Sequence, residues 1–238
     1  MRQINYVCKD LDFNIGRFTN EVMSTFAKNN IAPYSCSNGY HANGKQVYYD
    51  TTDRTLLRSG GCCRYTDYEI TAGQGNTKPP RALEYRNKRD SSIKTIEMEN
   101  QPSDKIVMES VGMNNLEKVI EIQSSNYHFF FQSVDLELMF TNNGAYSDFT
   151  MQATSIFPKG ETEPVKVAFF TISDITSRWM GDETAEKYRE KTDMVFDIFK
   201  QICEKNGLER VSNNRYAELL RCVEEKQNRK IYADTRKN

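Results

Sequence analysis

Side chains able to bind or carry charge recur at every second position in several stretches of this chain. They are Gln3 and Asn5, Arg64 and Thr66, Glu84 and Arg86, Glu97 and Glu99, Glu121 and Gln123, and Asp148, Thr150 and Gln152. Strand side chains alternate between two faces, so each set shares one face of its strand. Ile4 and Tyr6, Leu83 and Tyr85, Ile96 and Met98, Ile120 and Ile122, and Phe149 and Met151 then fall on the other. A surface of amides, hydroxyls, carboxylates and guanidiniums suits two arrangements. An open antiparallel sheet turns it to water, whereas a closed barrel of about eight strands turns it inward as a polar lumen for a small ligand. Other chemistry is poorly supported. His41 and His128 have no Ser, Cys or carboxylate partner at a telling spacing. Gly73-Gln74-Gly75 lacks the Lys-Ser/Thr and the helix of a phosphate loop. Cys8, Cys36, Cys62, Cys63, Cys203 and Cys222 contain no CxxC pair, so they read as buried thiols rather than as structural zinc ligands or disulfides.

The elements that must position these groups follow from periodicity. Alternation predicts a short strand over 3–7 and, with β-branched and aromatic enrichment, further strands over 46–51, 61–68, 82–86, 93–99, 119–123, 127–139, 146–157 and 165–172. Phe18, Val22 and Phe26 recur every fourth residue and predict a helix over 17–28, stopped by Asn29-Asn30. The stretch 35–45 reads as turns, and 71–80, with its glycines and Pro79-Pro80, as a long hairpin loop. Tyr188, Val195, Phe196, Phe199 and Ile202 predict a helix over 183–205, with Gly207 at its C′ position. Asn213-Asn214 would cap a last helix carrying Tyr216, Leu219, Leu220 and Val223. Trp179 is expected to anchor these C-terminal helices. The expected fold is α+β: an antiparallel barrel or tunnel of about eight strands with flanking helices and a C-terminal helical cap. One domain would span 1–224, followed by a charged tail over 225–238.

Length and charge narrow the class. A chain of 238 residues with 38% hydrophobic and 27% charged residues builds an ordinary globular core. Its 32 Lys and Arg against 33 Asp and Glu leave a net charge of -1, too little positive field for a duplex nucleic-acid binder. No apolar run is long enough to span a bilayer, and the first residues lack a signal peptide's basic and apolar regions, so a cytoplasmic protein with no membrane partner is expected.

The motifs carry a resemblance. The run YYDTTDRTLLRSGGCCR, from Tyr48 to Arg64, resembles the "YFDT...LL..G..LR.R" stretch of the CYTH family, the triphosphate tunnel metalloenzymes. In sequence order, Leu83-Glu84-Tyr85-Arg86 resembles that family's "LTLK" strand, and Glu97-Met98-Glu99 its "R.E.E" strand. Gly144 to Thr150 resembles "G.F.EIE", and Gly207 to Leu220 resembles the closing "GL...SY.ELL". The resemblance implies an antiparallel tunnel in which glutamates hold Mg²⁺ or Mn²⁺ and basic residues hold a triphosphate. Hard oxygen ligands suit such cations, and guanidinium forks suit phosphate oxygens.

The family's N-terminal ExExK signature is matched here by Gln3, Asn5 and Val7, and its "EIE" by Asp148, Phe149 and Thr150. Losing carboxylates weakens the hold on a hard cation. Three readings follow. The leading one is a tunnel protein that binds a phosphate-bearing small molecule, a nucleotide by class, with catalysis lost or reduced. Its ligand set would be Arg64, Arg86, Lys88, Gln3, Asn5, Thr150 and Gln152. The second is an active Mg- or Mn-dependent triphosphate phosphohydrolase or nucleotide cyclase with Glu97, Glu99 and Asp148 on the metal, Asp135 or Glu137 being further candidates. The third is a scaffold for a protein partner, its lumen packed shut by Tyr65, Phe130 or other aromatics.

Overall fold

A computed structural model describes residues 2–10, 12–34, 40–73, 80–86, 93–133 and 144–235. In chain order the strands are β1 (Gln3–Cys8), β2 (Ile31–Pro33), β3 (Tyr40–Asp50), β4 (Cys62–Gly73), β5 (Ala82–Arg86), β6 (Ile93–Glu97), β7 (Glu117–Ser133), β8 (Ala145–Pro158), β9 (Val165–Asp174) and β10 (Glu209–Val211). The helices are α1 (Ile15–Lys28), α2 (Thr55–Ser59), α3 (Asp104–Val111), α4 (Thr176–Met180), α5 (Asp182–Lys187), α6 (Arg189–Lys205) and α7 (Arg215–Thr235). All strands join one antiparallel sheet in the order β10-β1-β9-β8-β7-β3-β4-β5-β6, with β2 also paired to β7. The fold is α+β as expected, but among the described residues the sheet has ten strands and its ends, β10 and β6, do not pair, so it is not closed.

One face of the sheet is apolar and helix-covered. Tyr6, Phe131, Phe149, Phe170 and Ile172 pack there against Phe18, Val22 and Phe26 of α1 and Val195, Phe196 and Phe199 of α6. Farther along the same face Val47, Tyr49, Tyr65 and Leu83 pack on Val107 of α3. Asn14 caps α1, accepting the Arg17 N–H at 2.9 Å, and lets the Phe18/Val22/Phe26 stripe begin on the core side. The other face carries the polar residues. Register places Asn5, Thr171, Thr150 and His128 on one rung, and Gln152 and Asn126 on the next. Arg64 faces the same way beside Tyr48 and Glu84. At one end α7 packs onto this polar face, where Tyr216, Leu219 and Val223 meet Val7, Tyr48, Ile120, Ile122, Ile156 and Phe169.

Several expectations are corrected by this arrangement. Ile120 and Ile122, expected opposite the polar set, share its face, while Glu121 and Gln123 turn outward. The cause is α7: where a helix covers the polar face, that face must supply apolar side chains. Strands expected over 119–123 and 127–139 form one strand, β7, and the far end of the second lies outside the described residues. The helix expected over 183–205 breaks at buried Tyr188 into α5 and α6. Charged residues from 225 continue α7 as far as Thr235. Trp179 packs on Tyr34, Phe130 and Tyr146 and stays 38% exposed, so it caps one sheet end rather than the C-terminal helices.

The expected turn over 35–45 is in large part strand, since β3 runs through His41-Ala42-Asn43-Gly44 between β4 and β7. Gly44 permits this by lying under the Tyr68 ring: a Cβ there would stand 2.3 Å from Tyr68 Cε1. Gly44→Ala must therefore displace the ring, an overpacking cost of about 1–3 kcal/mol. Thermal denaturation should show a lowered Tm, and an unchanged Tm would mean that Tyr68 does not lie on Gly44.

Candidate functional site

The polar face is not a solvated one. Asn5, Gln46, Asn126 and Thr171 are 6%, 4%, 6% and 9% exposed, so the face is enclosed, as a ligand-holding surface requires. Its middle is built by three neighbouring strands. On β3, Tyr48 donates to Gln46 Oε1 at 3.1 Å, and the Gln46 amide donates to the Tyr68 hydroxyl of β4. Arg64, also on β4, gives Nε and Nη2 to a single Glu84 oxygen of β5 at 2.7 and 2.6 Å. Burial opposes the Arg64 charge, but the Tyr48 hydroxyl and the Glu84 carboxylate outweigh it and hold its pKa above the usual range. Tyr48, wholly desolvated, is pushed up to about 12 and remains a neutral donor.

A second guanidinium enters from α7. Arg215, the first residue of that helix, lies 3.7 Å over the centroid of the Phe169 ring on β9. Desolvation pulls its pKa down to about 10 despite the nearby Tyr48 and Tyr68 hydroxyls. Among the described residues no carboxylate comes within ion-pairing distance of it. Next to it Tyr216 stacks on Tyr48, centroids 5.0 Å apart, and donates to Asp50 Oδ2 at 3.2 Å, which fixes the start of α7 against β3.

The amides expected to hold ligand are engaged with the protein. Asn5 Nδ2 donates to Asn213 Oδ1 at 2.7 Å, and Asn5 Oδ1 accepts from Thr171 Oγ1 at 2.7 Å. Gln3 lies on the next rung with Ser173 and Asp148. Asp148 is held by His128, whose Nδ1 lies 3.0 and 3.2 Å from its two oxygens, and Thr150 Oγ1 is 3.2 Å from the same nitrogen. His128 therefore does have a carboxylate partner, supplied by the β7–β8 register rather than by sequence spacing.

The remaining predicted residues disperse. Gln152 is half-buried on the polar face beside Asn126 and Phe169. Arg86 is exposed at the end of β5, opposite Cys62 and Ile93. Glu97 ends edge strand β6 on the polar face, exposed, and Glu99 follows it in a bend. Lys88, Asp135 and Glu137 lie outside the described residues. Tyr65, expected in the lumen, is buried on the apolar face, whereas Phe130 does face the polar side. Sequence reasoning missed Arg215, Tyr68 and Asn213. Arg215 was signalled by its place in the closing motif, where the family's "SY" has serine.

Mg²⁺ or Mn²⁺ finds no ready set here. Asp148 is committed to His128, and Glu97 stands five strands away along the sheet path. Among the described residues no three His, Cys, Asp or Glu side chains converge as a metal site needs. Nor, among them, is any helix long and apolar enough to cross a membrane.

No family model and no curated protein matches the sequence. Solved structures do resemble the fold. The PH1819 protein of Pyrococcus horikoshii aligns over 96% of this chain and 99% of its own at 11% identity, TM-score 0.45. A proposed adenylyl cyclase from Hippeastrum with a dominant triphosphatase activity aligns over 91% and 93% at 10% identity, TM-score 0.42. A proposed adenylate cyclase from Vibrio parahaemolyticus aligns over 92% and 96% at 16% identity, TM-score 0.39. At such identities the likeness concerns the arrangement of elements and not substrate or catalysis. What carries the resemblance to the CYTH family is the order of the motifs along the chain.

Proposed function

We propose that the polar face binds a phosphate-bearing small molecule, a nucleotide by class, through Arg215 and Arg64. The observation that carries this reading is Arg215: a half-buried guanidinium, stacked on Phe169 and lacking a carboxylate partner among the described residues. A buried charge is unfavourable until paired, and a phosphate would supply the pairing in the geometry guanidinium prefers. Arg64 and Arg215 both act on the Tyr68 hydroxyl, and Arg64 is paired with Glu84 while Arg215 keeps no such pair among the described residues. Buried amides such as Gln46 and Asn126 supply the donors and acceptors that could read a base edge. On this reading metal-dependent catalysis is lost or reduced, because the carboxylates that would hold Mg²⁺ or Mn²⁺ are dispersed.

The test is calorimetric titration of the full chain with tripolyphosphate and with ATP, each in EDTA and in Mg²⁺. Binding should survive EDTA. Arg215→Ala should weaken it by about 10–100-fold, the worth of one charge-assisted contact of ~1.5–3 kcal/mol, and Arg64→Ala should do likewise. Unchanged affinity in both variants would overturn the assignment.

A further inference from the structure

Resting on the reading that the polar face holds a phosphate-bearing molecule, we infer that Trp179 is the platform on which the base of that molecule stacks, so that the ligand is a nucleoside triphosphate rather than an inorganic polyphosphate. Four rings gather at the end of the polar face away from α7. Register sets Phe130 opposite Asp148 and Tyr146 opposite Gln132, on the side of the sheet that carries Thr150 and His128. Trp179 packs on Phe130, Tyr146 and Tyr34 with ring centroids 5.2, 5.6 and 5.5 Å away. Tyr34 stands edge-on to Tyr146 at 5.0 Å. Tyr146 is buried and Tyr34 and Phe130 are half-buried, so the open part of the cluster is the indole, 38% exposed.

Hydrogen bonds hold these rings in place. The Ile175 N–H donates to the Tyr146 carbonyl at 3.0 Å, and the Tyr146 N–H donates to Thr176 Oγ1 at 2.9 Å, which ties α4 and with it Trp179 to β8. The Tyr34 N–H donates to the Phe130 carbonyl at 2.8 Å. A rigid aromatic surface of this kind offers a π face to any base and gives up little entropy when one stacks on it. Its position fits the phosphate site. Phe130 and Phe169 are four residues and two strands apart across the sheet, on the order of 16 Å, with Trp179 beside the first ring and the Arg215 guanidinium over the second. A nucleoside triphosphate lying extended carries its base at one end of that interval and its terminal phosphates at the other. Asn126 and Gln152 lie between the two ends, where they meet the sugar and the near edge of the base.

The experiment uses the emission of Trp179, the single tryptophan of the chain, beside calorimetric titration of the full chain with ATP and with tripolyphosphate in EDTA. ATP should quench the emission over the concentration range in which it binds, and tripolyphosphate should bind without quenching. Trp179→Ala should weaken ATP by about 5–100-fold, the worth of one stacked base, and hold tripolyphosphate within about threefold. Trp179→Phe, which keeps an aromatic face, should recover most of the ATP affinity, whereas a ring that only caps the sheet would affect both compounds alike. Emission unmoved by bound ATP, or ATP affinity untouched in Trp179→Ala, overturns this inference alone. Absence of binding by either compound overturns the phosphate reading as well. Should Trp179→Ala fail to fold, the emission of the unaltered chain decides.

Discussion

Asp50→Ala is expected to lower the unfolding free energy by about 3–5 kcal/mol, among the largest effects of any single polar substitution in the chain. Asp50 is fully buried at the end of β3 and accepts from four groups at 3.2 Å or less. Oδ1 takes the Thr51 and Leu56 N–H groups at 2.8 and 2.9 Å, and Oδ2 takes the Leu57 N–H at 3.1 Å and the Tyr216 hydroxyl at 3.2 Å. Helix α2 has no side-chain cap from Arg54, its own N-cap residue, so this carboxylate satisfies its first turn from outside. Truncation strands those donors, at about 1–3 kcal/mol for each that water cannot reach. It also releases Tyr216, whose stacking on Tyr48 seats α7 on the polar face. Urea denaturation is the measurement, and a loss below about 1 kcal/mol would show that this junction bears no such weight. Asp50→Asn, which keeps acceptor oxygen but not charge, should fall between.

Phe149→Ala should cost a similar ~3–5 kcal/mol for a different reason. Phe149 is fully buried on the apolar face, 5.9 Å from Phe129 and 5.5 Å from Phe199 between ring centroids. Removing it leaves a cavity beneath α6. Its chain neighbours Asp148 and Thr150 point the other way, so the variant should melt earlier yet still show the rise in Tm that the proposed phosphate binding predicts for the unaltered chain in tripolyphosphate. Loss of that rise at temperatures where the variant is folded would mean that the two faces are coupled through β8. Paired with Asp50→Ala, the substitution separates stability stored on the apolar face from stability that also shapes the site.

Much of the fold was legible because local period and packing agreed. In β1, Val7 apart, and in β5 and α1 the large apolar residues meet one partner layer, so Gln3, Asn5, Glu84 and the Phe18/Val22/Phe26 stripe were assigned to the faces they occupy. The rule that apolar means outside failed at Ile120 and Ile122, which pack inward against α7. No local pattern announces a helix laid on the polar side of a sheet. Asn43-Gly44 was misread for a related reason: two flanking strands override turn propensity there, and the glycine serves Tyr68 instead. The site was legible only as residue types. That Arg64 pairs with Glu84, that His128 meets Asp148 and that Arg215 lies over Phe169 are products of register and helix docking, which spacing along the chain does not encode.

The placement of β1 bears on how slowly the molecule acquires its site. β1 is flanked only by β9 and β10, with Gln3 opposite Ser173 and Asn5 opposite both Thr171 and Val211. Every ladder bond of the first strand therefore closes a loop through most of the chain, the kind of non-local pairing that sets folding times toward milliseconds to seconds. Hairpins such as β7–β8, which carry His128 and Asp148, join residues close in sequence and can form early. The His128–Asp148 contact would thus be in place before the wall that encloses it. The polar face is walled in only when β1 meets β9 and β10, so the slowest step of folding is also the one that completes that face.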